Sequence, residues 1–229
     1  MLCPLCHHSP LELVVKETKG AVTGREFWRC EQCHLISVPP TFQIDDAEEK
    51  ALYDLHENDS DDPSYREFLK RIAQPLLKLL PESTHGLDFG SGPGPTLSNM
   101  LEAAGHRCAL YDKFYAADES VWDSQYDFIT ATEVFEHLRE PAAVLESLLT
   151  HLKPNGYLAL MTQRWISEDR FKNWQYRNDP THIIFMHEQT CHWLARAYGL
   201  SIQYLAHGVV IFRKTGEPAR KPVLSNDSH

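Results

Sequence analysis

The 229-residue chain has no apolar run near the roughly 18 residues that a bilayer-spanning helix requires. Nor does it open on the charged, apolar and small-residue pattern of a secretory leader. A soluble, cytoplasmic protein without a membrane partner is therefore expected. Basic charge is scarce: 22 Lys and Arg face 32 Asp and Glu, a net charge of −10. That balance argues against non-specific binding of polyanions. Cysteine is scarce too, and four of the six fall in two C-x-x-C pairs, Cys3/Cys6 and Cys30/Cys33, with Cys108 and Cys191 isolated. Paired thiols at this spacing suggest metal binding in a reducing compartment rather than a disulfide framework.

What is present divides the chain in four. With 42% hydrophobic residues, it can build one sizeable core and a small appendage. Residues 1–40 read as that appendage, a zinc ribbon: two cysteine knuckles flank alternating segments at Leu11–Val15 and Glu26–Arg29, with turn residues between Lys19 and Gly24. Cys3, Cys6, Cys30 and Cys33 suit a tetrahedral structural Zn2+, and His7, His8 and His34 are surplus to it. A redox role is disfavoured because neither pair follows a strand in a βαβ context. So small a unit needs the metal for its folding energy. Such a ribbon also offers a contact for a protein or nucleic acid. Residues 41–81 read as a helical linker, with Phe68, Leu69, Ile72, Leu76 and Leu80 at helical spacing and Pro75 implying a kink or break. Nine acids against Lys50 between Asp45 and Asp62 make a solvated surface the preferred reading of that stretch. Residues 82–215 alternate strand and helix, and 216–229 read as a disordered tail.

The most informative run is Leu87-Asp88-Phe89-Gly90-Ser91-Gly92-Pro93-Gly94, an apolar strand end opening into a glycine-rich turn. Glycines there let backbone approach a polar cofactor where a Cβ would collide. A helix from Thr96 and a second apolar strand follow, ending at Asp112, an acid placed to accept hydrogen bonds from ribose hydroxyls. A dinucleotide fingerprint is not met, because Gly92-Pro93-Gly94-Pro95 leaves no glycine at its third position. Only 13 residues separate Asp112 from Tyr126, so the helix and strand usual there must be abbreviated.

These residues resemble motif I of class I S-adenosylmethionine (SAM)-dependent methyltransferases. Tyr126-Asp127-Phe128-Ile129 is similar to that family's fourth strand, and Leu152-Lys153-Pro154-Asn155-Gly156-Tyr157-Leu158 to the turn before its fifth. The resemblance spans about residues 82–214. It implies an α/β Rossmann-like sheet with a terminal antiparallel hairpin near 200–213, and SAM as cofactor. Asp88, Gly90 and Gly92 would line its methionine and ribose side, Asp112 would bind the ribose, and Lys113 or Phe114 would lie near adenine.

Glu133-Val134-Phe135-Glu136-His137 follows the fourth strand. A helical turn there would set Glu133, Glu136 and His137 on one face, a divalent-metal set of carboxylates and imidazole. The pattern resembles that of ubiquinone-pathway O-methyltransferases and small-RNA 2′-O-methyltransferases, in which a metal activates a hydroxyl acceptor; in the RNA group a downstream histidine joins, here His182. The plainer alternative has Glu133 capping and His137 packing. Candidate catalytic residues are Glu133, His137 and His182, the last also as a general base. Arg164 to Arg177 interleave cations with Trp165, Phe171, Trp174 and Tyr176, either gripping the acceptor or packing as core. No [DN]-P-P-[YFW] motif follows the fourth strand, which disfavours exocyclic amine methylation of adenine or glutamine, and no cysteine nucleophile for cytosine C5 stands there. The reading is thus methyl transfer to a hydroxyl, with a small metabolite favoured by the acidic charge and RNA as the other acceptor. The alternative is a non-catalytic scaffold that binds SAM or a nucleoside.

Overall fold

The computed structural model describes residues 1–55 and 62–215; part of the acidic stretch and the tail at 216–229 lie outside the described residues. The first strands are β1 (Glu12–Lys16), β2 (Glu26–Arg29) and β3 (Ile36–Ser37), each antiparallel to the next. Two helices follow, α1 (Asp46–Tyr53) and α2 (Pro63–Leu77). The Asp45 carboxylate caps α1 by accepting from the N–H groups of Ala47 and Glu48, and Glu48 reciprocates. Pro75 does not divide the helical segment as expected: it falls in the last turn of α2, whose face of Leu69, Ile72, Ala73 and Leu76 is buried.

The remaining elements are β4 (His85–Phe89), α3 (Thr96–Ala103), β5 (Arg107–Tyr111), β6 (Tyr126–Thr132), α4 (Pro141–His151), β7 (Leu152–Met161), β8 (Arg164–Trp165), α5 (Glu168–Phe171), β9 (Ile184–His187), α6 (Glu188–Tyr198), β10 (Leu200–Ala206) and β11 (Val209–Lys214). The larger sheet runs β10-β11-β7-β6-β4-β5. Its β5, β4, β6 and β7 are parallel, and β10–β11 return as an antiparallel hairpin beside β7. This is the expected Rossmann-like arrangement with a terminal hairpin. Helix α6 ends where Gly199 takes a left-handed φ of 63°. The shortened stretch after Asp112 forms one bridge, Asp112 to Ala116, and a 3₁₀ turn at Glu119–Asp123 instead of another helix and strand, leaving β5 at the sheet's edge.

The second sheet runs β1-β2-β3-β9-β8. Here β3 pairs with β9, Ile36 opposite Phe185 and Ser37 opposite Ile184. The N-terminal strands therefore share a sheet with a segment from the far end of the chain, and Phe27, Leu35 and Ile36 join the same buried cluster as Phe171, Phe185 and Leu194.

Candidate functional site

A cavity of about 990 Å³ opens at the C-terminal ends of the parallel strands. Strand-to-helix turns gather there because every parallel strand points the same way. Its lining brings together Phe89 to Gly94, Tyr111 to Tyr115, and Thr132, Glu133, Val134 and His137 with Asp179 to His182, and α1 contributes Asp46, Glu49 and Tyr53. Gly90 and Gly92 hold left-handed φ values of 75° and 62°. At Gly90 an added Cβ would lie 2.3 Å from Val134 Cγ2, so only glycine fits.

The two acids of the first βαβ unit have different places. Asp112 borders the cavity; its Oδ2 accepts from Gly92 N at 3.0 Å, and its Oδ1 from the N–H groups of Phe114 and Tyr115. Asp88 lies beneath the turn, 4% exposed, its carboxylate held by the hydroxyls of Thr130 at 2.7 Å and Ser98 at 2.9 Å. Burial pushes its carboxyl above the usual range against those two bonds. Asp88 thus ties β4 to β6 and α3 rather than lining the cavity, while Gly90, Gly92 and Asp112 border it. Lys113 and Phe114 border it as well, the ammonium 4.4 Å from the ring centroid.

Glu133 to His137 do not form an α-helical turn. Glu133 takes a left-handed φ of 50°, its N–H donating to Met161 O, and Phe135–His137 is a 3₁₀ turn. The consequence is a different grouping. Ligand atoms of Glu136, His137 and His182 lie within 4.8 Å of one another, while Glu133 stands outside that group and faces the cavity. The Tyr176 hydroxyl joins the two carboxylates, donating to Glu136 Oε1 and lying 3.1 Å from Glu133 Oε2. Nδ1 of His137 lies 3.1 Å from Thr181 O, and Nδ1 of His182 lies 2.7 Å from Tyr176 O. A carbonyl only accepts, so both Nδ1 atoms carry the proton and both Nε2 atoms present lone pairs.

Glu136 is 1% exposed, and its Oε2 has no hydrogen-bond partner among the described residues. An orphaned carboxylate oxygen beside two imidazole lone pairs is a donor set with no donor to meet it, and it fits a divalent cation. Burial raises the Glu136 carboxyl; burial and the Glu136 charge push Glu133 up to about 8. Burial lowers His137, and burial with the neighbouring His137 brings His182 down to about 4, so both imidazoles are neutral near pH 7, the state that ligates.

The aromatic and basic segment does not overhang the cavity. Trp165 and Phe171 are buried, and Arg177 lies inside the fold, paired with Glu17 at 2.6 Å and over the rings of Phe27 and Phe171. Only Tyr176 reaches the site. Sequence reasoning named Tyr176 only as an aromatic, and gave no place to Arg25, which binds the loop carrying His182; neither has a local signal, because both meet the site through tertiary contact.

At the other end, Cys3, Cys6, Cys30 and Cys33 bring their sulfurs within 4.8 Å of one another, with Cys3 to Cys33 at 3.5 Å and Cys6 to Cys30 at 3.4 Å. No disulfide joins them. His7 and His34, each following a knuckle's second cysteine, take left-handed φ values of 57° and 58°. Each N–H donates to the carbonyl of its knuckle's first cysteine, so these histidines close turns.

A parallel sheet with a glycine turn, a strand-end acid and a deep cavity at its C-terminal edge defines an α/β enzyme of the class I methyltransferase type. Residues 62–205 match the family model described as a methyltransferase domain, more than half of the chain, and the protein belongs to that family. Among solved structures, it is similar to Burkholderia thailandensis 1,6-didemethyltoxoflavin-N1-methyltransferase with 1,6-didemethyltoxoflavin and S-adenosylhomocysteine bound, at 14% identity and TM-score 0.55 over 90% of this chain and 100% of that one. It is also similar to the magnesium protoporphyrin IX methyltransferase of Synechocystis PCC 6803 with bound S-adenosylhomocysteine, at 13% identity and TM-score 0.52 over 76% and 89%. At such identities the likeness is one of fold. Among curated proteins no match is found.

Proposed function

We propose that this protein transfers a methyl group from SAM to a hydroxyl of a small metabolite, with a divalent cation held by Glu136, His137 and His182. The observation that carries the reading is one cavity lined both by the Gly90–Gly94 turn with Asp112 and by Glu133, His137 and His182. Its volume of about 990 Å³ is at the upper end for one ligand, leaving room for a cofactor and an acceptor together.

Methyl transfer from a sulfonium is an in-line displacement, so the protein's share is positioning and water exclusion. When bound, SAM supplies the electrophilic methyl group, and a cation at the Glu/His set lowers the pKa of a hydroxyl beside it. Gly90 and Gly92 admit the cofactor closely. Asp112 keeps acceptor capacity for ribose hydroxyls after its three backbone bonds. Glu133 faces the cavity outside the metal group, oriented by Tyr176. With its carboxyl pushed up to about 8, it can receive the acceptor's proton once its own has left, so turnover is expected to rise as pH passes that value. Both structures compared above name small-molecule substrates. Trp165, Phe171 and Arg177, which would have favoured RNA as exposed groups, pack inward.

The four cysteines fit a structural zinc. Tetrahedral bonds of about 2.3 Å put sulfurs about 3.7 Å apart, close to the separations found.

The test is calorimetry with SAM and S-adenosylhomocysteine, followed by methyl transfer to hydroxylated small molecules and to RNA with added Mn2+ or Mg2+. Glu136→Ala and His182→Ala should each lower metal-stimulated turnover at least 100-fold while retaining cofactor binding. Full activity in chelator, with the cysteine-bound metal retained, would remove the cation from the mechanism. Cofactor binding without turnover on any acceptor would favour the scaffold reading.

A further inference from the structure

We propose that Arg25, from the N-terminal cysteine unit, is a positioning residue for the candidate catalytic cluster, so that this unit is part of the active site rather than an appended module. The proposal rests on the assignment of Glu136, His137 and His182 given above, and reaches a residue remote from them in sequence.

Arg25 precedes β2 and is 4% exposed. Among the described residues no carboxylate lies within ion-pair distance of its guanidinium. Its donors go instead to main-chain carbonyls: Nη1 to Asp179 O at 3.2 Å and His182 O at 3.1 Å, Nη2 to Pro180 O at 2.7 Å and Phe42 O at 3.3 Å. Burying a charge that the Asp179 carboxylate offsets only from beyond pairing distance is costly, and an apolar side chain would fill the space without that cost. What the guanidinium adds is a rigid planar fork able to hold several acceptors at once.

Three of its four acceptors belong to residues 179–182. The remaining carbonyl of that loop, Thr181 O, faces Nδ1 of His137. All four successive carbonyls are therefore spent, three on Arg25 and one on orienting an imidazole of the cluster. The loop also carries His182, and the N–H of Ile183 donates to Glu136 O at 2.8 Å. Each of the three cluster residues is thus bound to, or carried by, the segment that Arg25 grips. The same unit holds the chain immediately beyond: Val38 N–H donates to Ile183 O, and β3 pairs with β9 from Ile184. Arg25 is itself anchored, its carbonyl accepting from Glu17 N–H and its N–H donating to Val22 O, one strand away from Cys30. The cofactor wall, by contrast, has no bond to Arg25.

The experiment compares wild type, Arg25→Ala and Arg25→Lys, each purified with its cysteine-bound metal. S-adenosylhomocysteine affinity is expected within threefold of wild type in all three. Mn2+ affinity, followed by electron paramagnetic resonance, should fall about 10- to 100-fold in both variants, the usual effect of losing a group that orients metal ligands. Amide exchange at Thr181–Ile183 should accelerate, and added guanidinium should restore part of the Mn2+ affinity of Arg25→Ala but not of Arg25→Lys. Folded variants with unchanged Mn2+ affinity and unchanged exchange at those amides would overturn the proposal. If wild type binds no Mn2+, the cation assignment fails on its own, and the exchange rates with the division of effect between kcat and KM decide Arg25. If neither variant unfolds cooperatively, Arg25 is a determinant of the fold and the positioning role is refuted.

Discussion

At the scale of single residues, the account turns on a few atoms whose partners leave one option open. Gly90 and Gly92 make a useful contrast. Both have left-handed φ, but a Cβ at Gly90 meets Val134 while one at Gly92 meets nothing within 4 Å. Gly92→Ala should cost about 1–2 kcal/mol of stability through its backbone conformation alone, yet weaken S-adenosylhomocysteine more than tenfold if the proposed cofactor site fills that open space. Gly90→Ala should lose more in thermal unfolding as well as in binding. Calorimetry and melting of the two variants separate the effects, and undiminished affinity in Gly92→Ala would contradict the cradle. The glycine turn and Asp112 were legible because backbone needs write themselves into residue type. Asp88 was legible as important but not in direction: only the hydroxyls of Thr130 and Ser98, distant in the chain, show that it faces inward. Glu136 and His182 share a cluster for the same kind of reason. Their proximity depends on a left-handed Glu133, which residue identity does not announce.

At the scale of elements, close packing and a buried ion pair set the predictions. β4 and β6 approach so nearly that a Cβ on Gly86 would sit 2.1 Å from the Phe128 ring. Gly86→Ala should destabilise by about 1–3 kcal/mol in denaturant unfolding, the cost of overpacking a filled core. The turn after β1 is held by Glu17, whose carboxylate pairs with the buried Arg177. Burial pushes that carboxyl up, but the Arg177 bond and charge with the N–H groups of Thr18 and Lys19 hold it below the usual range. A depressed carboxyl contributes its stability in full above its unfolded pKa, about 4.3, and loses it as pH falls through the lower folded value. Glu17→Gln should therefore cost about 1.5–3 kcal/mol near pH 7, and the two proteins should converge in stability as pH drops below about 4. A difference independent of pH would mean that the charge on Glu17 is not what matters. The strands of the larger sheet and of the β1–β2 hairpin followed from alternation and turn residues, and the arrangement of that larger sheet from the family resemblance, while β3, β8 and β9 gave no such signal. The 3₁₀ turn at Phe135–His137 and the harmless place of Pro75 gave none either, since each is decided by what packs around it.

At the scale of the molecule, β3 and β9 tie the cysteine unit to a later segment within the second sheet, and Cys3, Phe27 and Ile36 share one buried cluster with Leu87, Ile129 and Leu158 of the sheet that carries the cavity. The pairing of β3 with β9 was not visible in the sequence, because a two-residue strand has no period to detect. The joint core predicts that removing metal from the four cysteines, or Cys33→Ser, lowers the melting temperature of the whole described fold and not of a separate first transition. Two independent transitions in calorimetry would show that the units are uncoupled. The central claim is narrower: the turn at Gly90–Gly94 with Asp112 holds a sulfonium nucleoside. Titration of the zinc-loaded protein with S-adenosylhomocysteine tests it most directly. One equivalent bound, displaced by SAM and lost in Asp112→Ala, is the predicted result; no heat and no protection of those amides from exchange would contradict it.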